Sequence, residues 1–323
     1  MCHHAPAMSQ APPMRMITRA CPLCSSSDES HVFADANFDL GKLDAFAFAS
    51  RKMPEYMHLR LVECPTCDVL YATPLPSVDE LSQAYHDAAF DSQEEARHAA
   101  RCYGSFLPAI KSRLPDTKGA LDIGAGDGAF LEELLNAGFT DVVGVEPSAA
   151  PIAAAAPHLK PLIKHDLFRP DDYPSASFSL VTCFQTLEHL SDPMEMCRSA
   201  QRLLKPGGAV FVIAHDRRSL SARVLGMKSP IFDIEHLQLF SPDSARQLLQ
   251  RAGFAKVDLK TVYNEYPLHY WAKLFPLPKP VKLPFLRFLK KGRIGAIPVK
   301  IPAGNLAAIG FKSEGLSSHG PMG

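Results

Sequence analysis

Leu121-Asp122-Ile123-Gly124-Ala125-Gly126-Asp127-Gly128-Ala129 is an apolar strand that runs into glycines and then opens a helix. Glycines there let the backbone pass close to a ligand, and a helix N-terminus offers N–H groups without intrahelical partners. Alone, the loop also satisfies the loose dinucleotide pattern G-x-G-x-x-A, and a tight strand–helix turn with no ligand reads the same way. Its surroundings narrow the choice. The next strand, Val142-Val143-Gly144-Val145-Glu146, ends in a carboxylate placed to accept hydrogen bonds from two ribose hydroxyls. A third, Leu162-Ile163-Lys164-His165-Asp166, ends in an aspartate placed to reach an adenine amino group, with Leu167 against the ring.

Strand and helix alternate outward from this loop. Strands are predicted over 120–124, 141–146, 161–165, 178–185 and 209–215, and helices over 129–137, 149–156, 193–204 and 241–252. Such alternation predicts an α/β fold, a doubly wound Rossmann-like sheet of parallel strands with helices on both faces. Two further strands, 255–263 and 305–312, are separated by a long segment of unusual composition. The chain divides into a disordered leader (1–17), a cysteine-bearing module (18–77), a helical cap or linker (78–114), the α/β domain (115–312) and a disordered tail (313–323).

The ordered set Asp122-x-Gly124-x-Gly126-x-Gly128, Glu146, Asp166, FSLVTCFQTLEHLSDP over 178–193, and Leu203-Leu204-Lys205-Pro206-Gly207-Gly208 resembles the class I S-adenosylmethionine-dependent methyltransferases. The resemblance covers roughly residues 78–312 and includes the expected order of all its pieces. It implies a seven-stranded sheet whose last strand, on 305–312, is antiparallel. It also implies that Glu146 holds the ribose, that the 124–128 loop carries the methionine moiety, and that Asp166 contacts adenine. Asp122, Ala125, Pro147, Leu167 and Gln185 belong to the same implied cofactor-binding set, and Tyr85, in Ala84-Tyr85-His86, resembles a tyrosine that closes over the cofactor. One piece departs. Where nucleic-acid amino methyltransferases of this fold often carry Asn/Asp-Pro-Pro-aromatic, this chain reads Phe184-Gln185-Thr186-Leu187-Glu188-His189. That argues against N6-adenine or N4-cytosine chemistry.

A sulfonium already carries an activated methyl group, so the protein need not supply a nucleophile. Its work is to align the acceptor and exclude water, with a base where the acceptor is a hydroxyl or an acidic carbon. His189 follows the fourth strand, His215 ends the fifth, and His236 lies between the fifth strand and its helix. All three are candidate bases at the carboxyl ends of strands, where ligands bind in such sheets. Orienting the cofactor or supporting a loop is the alternative role for each.

Cys21-Pro22-Leu23-Cys24 and Cys64-Pro65-Thr66-Cys67 repeat one C-P-x-C knuckle. Four thiolates from two such knuckles suit a tetrahedral, structural zinc ion. The module resembles the zinc ribbon that precedes the catalytic domain in some bacterial small-molecule and sugar methyltransferases. Its acidic skew, with eight carboxylates between Asp28 and Asp68, disfavours RNA.

The whole chain has 323 residues, 46% hydrophobic, with 34 Lys+Arg against 34 Asp+Glu. It carries no net field toward nucleic acid and no uninterrupted apolar stretch of membrane-spanning length, which predicts a cytoplasmic protein. One segment breaks the balance: residues 267–300 contain eight Lys or Arg and no acid, together with Tyr270, Trp271, Phe275, Phe285 and Phe288. It reads as an anionic-membrane or lipid-linked-substrate contact, as a substrate lid, or as accessory core with a solvated basic face. The expected activity is methyl transfer to oxygen or carbon of a small molecule. RNA methylation guided by the zinc module, a nicotinamide-dependent dehydrogenase and a non-catalytic cofactor-binding protein are the alternatives, and oligomeric state is left open.

Overall fold

The computed structural model describes residues 15–28, 31–37, 56–77, 79–81, 93–274, 279–291 and 293–314. Its N-terminal part contains β1 (Met16–Ile17), β2 (Val32–Ala34), β3 (Leu61–Glu63), β4 (Leu70–Ala72) and β5 (Leu75–Pro76). β1 pairs antiparallel with β5, Met16 opposite Pro76 and Ile17 opposite Leu75. Residues 16 and 17 therefore belong to the fold rather than to the expected leader, because their backbone pairs with β5. β2, β3 and β4 form an antiparallel meander around the second cysteine knuckle.

The expected helical cap supplies α1 (Gln93–Gly104) and α2 (Leu107–Lys111). Tyr103, Leu107 and Ile110 are buried. Pro108 sits in the first turn of α2, where a missing N–H costs no intrahelical bond.

The α/β domain then runs β6 (Lys118–Ile123), α3 (Ala129–Asn136), β7 (Thr140–Glu146), α4 (Ala149–Ala154), β8 (Ile163–His165), β9 (Phe178–Phe184), α5 (Pro193–Leu203), β10 (Leu204–His215) and α6 (Leu220–Leu225). It continues with β11 (Gln238–Leu239), α7 (Pro242–Arg251), β12 (Lys256–Pro267), α8 (Leu268–Leu274), α9 (Lys279–Lys291) and β13 (Pro298–Phe311). Seven strands form one sheet in the order β12-β13-β10-β9-β6-β7-β8. β13 is antiparallel to both of its neighbours and the other pairs are parallel, as the resemblance implies. β8 is shorter than expected. Pro161 lies in a 3-10 turn, Lys160–Leu162, and has no N–H for a ladder, so pairing begins with Ile163 opposite Gly144. β12 and β13 are longer than expected: their pairing continues to Pro267 opposite Pro298, and α8 and α9 lie between those ends.

Alternation along β10 shows how the sheet is sandwiched. Val210 and Val212 join a core with side chains of α5 and α7, whereas Ala209, Phe211 and Ile213 join a second core with α1, α2 and α3. Each fully buried residue of this size contributes about 1.5–3 kcal/mol. α5 begins where Asp192 accepts the Glu195 N–H at 2.9 Å with Pro193 in the first turn, and α7 begins with a Ser241–Ser244 capping box. Lys205 anchors the start of β10 by donating to the Asp116 carboxylate and to the Lys118 carbonyl.

The cysteine module is joined to this sandwich by its backbone. β11 pairs with β4, Gln238 opposite Tyr71 and Leu239 opposite Leu70, completing a four-stranded sheet β11-β4-β3-β2. The buried Arg217 donates to the carboxylates of Glu63 and Asp68, and Arg19 donates to the carbonyls of Ala72, Ser191 and Leu237. Cys21, Cys64, Cys67 and Tyr71 share one core with Val212 and Phe240. Among the described residues, no helix is long and apolar enough to cross a membrane.

Candidate functional site

The glycine loop follows β6, the strand flanked by β7 on one side and β9 on the other. This is the switch point at which strand order diverges and a crevice opens at the carboxyl ends. Gly124 and Gly126 have φ of +79° and +56°, which side chains beyond Cα disfavour. A Cβ at Gly124 would lie 2.2 Å from the Thr186 hydroxyl, whereas one at Gly126 would meet nothing within 4 Å. The backbone at Gly126 thus faces open space.

Glu146 closes this end of the crevice. One carboxylate oxygen accepts the Gly126 N–H at 2.9 Å, and the other accepts the Ser148 N–H at 2.8 Å. Burial raises its pKa while these two N–H groups oppose the rise. Beneath it, Asp122 accepts the Thr182 hydroxyl at 2.6 Å. Burial, with the Glu146 charge adding, pushes Asp122 up to about 7 against that hydrogen bond.

A cavity of about 1190 Å³ extends from this loop. That exceeds the ~300–1,000 Å³ typical of one drug-sized ligand, so it has room for two molecules. Of the sequence candidates, Asp122, Gly124, Ala125, Gly126, Glu146, Pro147, Leu167 and Gln185 line it, as do His189, His215 and His236. Gly128 and Asp166 do not. Gly128 is the left-handed N-cap of α3, and the Asp166 carboxylate accepts its neighbour's Leu167 N–H at 2.8 Å and pairs with Arg169 at 3.4 Å. Tyr85 and Phe275 lie outside the described residues.

The far end is polar: three histidines lie there with Asp233 and Glu235. The three imidazoles converge, with His236 5.0 Å by ring centroid from both His189 and His215. His236 Nδ1 donates to the Ile231 carbonyl at 2.7 Å, so the neutral ring carries its lone pair on Nε2. His189 Nδ1 faces the Glu235 carbonyl at 3.1 Å, and His215 Nδ1 faces Asn305 Oδ1 at 3.0 Å. Donor atoms of His189, Glu235 and His236 lie within 4.8 Å of one another. Burial, reinforced by the neighbouring rings, lowers His189 to about 4 and His215 and His236 to about 3. Proton NMR of the folded chain is therefore expected to show these three imidazoles neutral down to about pH 5, whereas unfolded histidines titrate near 6.5. An inflection near 6.5 for any of them would contradict the burial argument.

Sequence reading named Tyr270 and Trp271 in a segment read as lid, membrane contact or accessory core, and missed Asn264, Tyr266 and Asn305 as cavity wall. Asn264, Tyr266, Tyr270, Trp271 and Asn305 line the cavity from β12, α8 and β13. Asn264 is buried, and its Oδ1 has no hydrogen-bond partner among the described residues. The available signal was the every-second-residue burial of Val262, Asn264 and Tyr266, which carries the strand past 263. Among the described residues, no lysine or arginine lines the cavity.

The four knuckle cysteines also converge. Their sulfurs all lie within 4.8 Å of one another, with Cys24 Sγ and Cys64 Sγ 3.6 Å apart. A tetrahedron with ~2.3 Å metal–sulfur bonds has edges of roughly 3.8 Å, so the donor set fits such an ion. The two knuckles repeat one turn: Ser25 N–H donates to Cys21 O at 2.9 Å and Asp68 N–H to Cys64 O at 3.0 Å. Ser25 and Asp68 both have positive φ.

The family described as "Methyltransferase domain" matches residues 93–259, just over half of the chain. The ubiquinone biosynthesis O-methyltransferase of Acinetobacter baylyi is 26% identical over 169 residues, which is 48% of this chain and 71% of that protein. Its namesake in Thiobacillus denitrificans is 34% identical over 110 residues, or 32% of this chain, and the chain spans 47% of that relative. Among solved structures, a SAM-dependent methyltransferase from Archaeoglobus fulgidus is similar with a TM-score of 0.46 and 18% identity, covering 68% of this chain and 97% of that one.

Proposed function

Because this chain belongs to the methyltransferase-domain family, the class I S-adenosylmethionine-dependent methyltransferases, we propose that it methylates a hydroxyl of an uncharged, partly aromatic small molecule. The observation that carries the choice of acceptor is the cavity wall: apolar and aromatic side chains with histidine, asparagine and carboxylate acceptors, Glu95, Asp233 and Glu235 among them, and no lysine or arginine among the described residues. A phosphorylated acceptor such as a sugar nucleotide, or an RNA strand, needs cations to offset its charge, and none among the described residues lines this space. The names of the curated relatives, O-methyltransferases of ubiquinone biosynthesis, support oxygen as the methylated atom. Family membership removes the dehydrogenase reading.

When bound, the cofactor supplies a sulfonium methyl and leaves as a neutral thioether as the C–S bond breaks and the new C–O bond forms. Glu146 accepts the Gly126 and Ser148 N–H groups and the Ser148 hydroxyl, and its remaining acceptor capacity faces the ribose hydroxyls. Backbone of the 124–126 turn and Gln185 bound the same crevice. His236 Nε2 accepts the hydroxyl proton. A base of low pKa suffices, since the hydroxyl grows strongly acidic as its oxygen takes on the methyl group. His215 Nε2 and Asn264 Oδ1 offer further acceptors that favour hydroxyl donors over anions. The four cysteines hold a structural zinc ion that keeps β4, and through it β11 beside His236, in place.

The test is mass spectrometry of methyl transfer to a panel of phenols and catechols set against sugar nucleotides. Transfer confined to the neutral aromatic alcohols is the expected result. Methylated sugar nucleotides, or cofactor binding with no transfer to any metabolite of a cell extract, would overturn the reading. His236→Gln is expected to lower kcat about 100-fold or more with S-adenosylhomocysteine affinity unchanged. Unchanged kcat would remove His236 as the base.

A further inference from the structure

We propose that α9 and the turn after it form a docking surface for an anionic lipid bilayer. The helix buries a lysine while it exposes apolar side chains. Lys282 and Leu289 are its buried side chains, with Lys282 only 7% exposed. Val281, Phe285 and Phe288, spaced i, i+4, i+7 on one face, are 58%, 42% and 64% exposed. Ile294 and Ile297, in and beside the following 3-10 turn, are each about half exposed. A contiguous apolar stripe in solvent next to a buried lysine is a surface that something covers.

Charge selects the occupant. The segment 267–300 holds eight Lys or Arg and no acid. A second copy of the same face would set like charge against like. A nucleic acid would leave the Val281-Phe285-Phe288 stripe in water. A bilayer with anionic headgroups meets both needs, receiving the aromatic and aliphatic side chains at the acyl boundary and the cations at the phosphates. Pro284 lies within α9, which runs unbroken from Lys279 to Lys291, so the helical spacing of Val281, Phe285 and Phe288 holds across it.

Position gives the contact a use. α9 packs on α8, whose Tyr270 and Trp271 line the cavity, and the exposed Leu220 and Val224 of α6 line the same cavity. Docking through α9 therefore sets lipid beside the helix that supplies Tyr270 and Trp271 to the cavity. The inference stands on the surface itself and does not depend on which molecule is methylated.

The experiment is co-sedimentation of the full-length, zinc-loaded chain with vesicles of phosphatidylcholine alone and of phosphatidylcholine mixed with phosphatidylglycerol. Binding is expected at least tenfold tighter to the anionic vesicles and weaker as salt rises. The triple variant Val281→Ser, Phe285→Ser, Phe288→Ser is expected to lose that binding at least tenfold. Because all three side chains are exposed, its melting temperature and S-adenosylhomocysteine affinity should match the parent's and certify its fold. The proposal is overturned by equal binding to both vesicle types, by a parent chain that stays in the supernatant, or by undiminished binding of a folded triple variant. Sedimentation equilibrium showing a dimer that the triple variant dissolves would likewise overturn it in favour of self-association.

Discussion

Glu146→Ala is expected to weaken S-adenosylhomocysteine binding by about 100-fold or more, as read by titration calorimetry. Two hydrogen bonds from ribose hydroxyls to a buried carboxylate contribute about 1.5–3 kcal/mol each, and 1.4 kcal/mol is a factor of ten. The variant loses a second thing. The Gly126 and Ser148 N–H groups that Glu146 now accepts lose their partner, which loosens the turn itself. Glu146→Gln separates the two effects: it keeps the volume and one acceptor oxygen, so it should fall between parent and alanine. Undiminished affinity in a folded Glu146→Ala chain would contradict the ribose contact.

Cys64→Ser, or exhaustive chelation, is expected to be the most destabilising change away from the cofactor site. Metal binding by such cysteine sets is worth about 10–16 kcal/mol in isolated peptides. Here part of the ribbon is also held by Arg217, Arg19 and the β4–β11 pairing, so a loss on the order of 5 kcal/mol is expected. For a domain of this size that lowers the melting temperature by about 10 °C. Because the Leu237 carbonyl accepts the Ala72 N–H, the disturbance should pass into the loop that carries His236. Hydrogen exchange read over residues 70–72 and 236–240 should therefore speed up together with metal loss. A variant that sheds metal yet melts at the parent's temperature would show the ribbon to be an ornament on an independent domain.

Local chemistry is what the sequence displays most clearly. The glycines of the 124–128 loop, the carboxylate ending β7 and the period-two strands each leave their mark within a few residues, and all were placed before the fold. The antiparallel position of β13 came from resemblance rather than from periodicity, since alternation says nothing of direction. Contacts between distant segments left no such mark. The pairing of Gln238 with Tyr71 joins two short strands whose hydropathy is silent about partners, so the ribbon reads as a separate module until β11 is seen to complete its sheet. Asp166 is a different case: strand-end position suggests a ligand contact, and in the fold its Oδ1 accepts the Leu167 N–H and faces Arg169. Lys282 and Phe288 are a third kind. Composition announces a basic, aromatic segment, yet only the fold shows the lysine turned in and the phenylalanine turned out.

The central claim is that one crevice at the carboxyl ends of β6 and β7 holds an adenosyl cofactor by its ribose and its amino-acid end. A crystal grown with S-adenosylhomocysteine tests it most directly. Density is expected along the 124–126 backbone with both ribose hydroxyls on Glu146. An empty crevice in crystals of zinc-loaded chain at saturating ligand, or the nucleoside bound elsewhere, would contradict it.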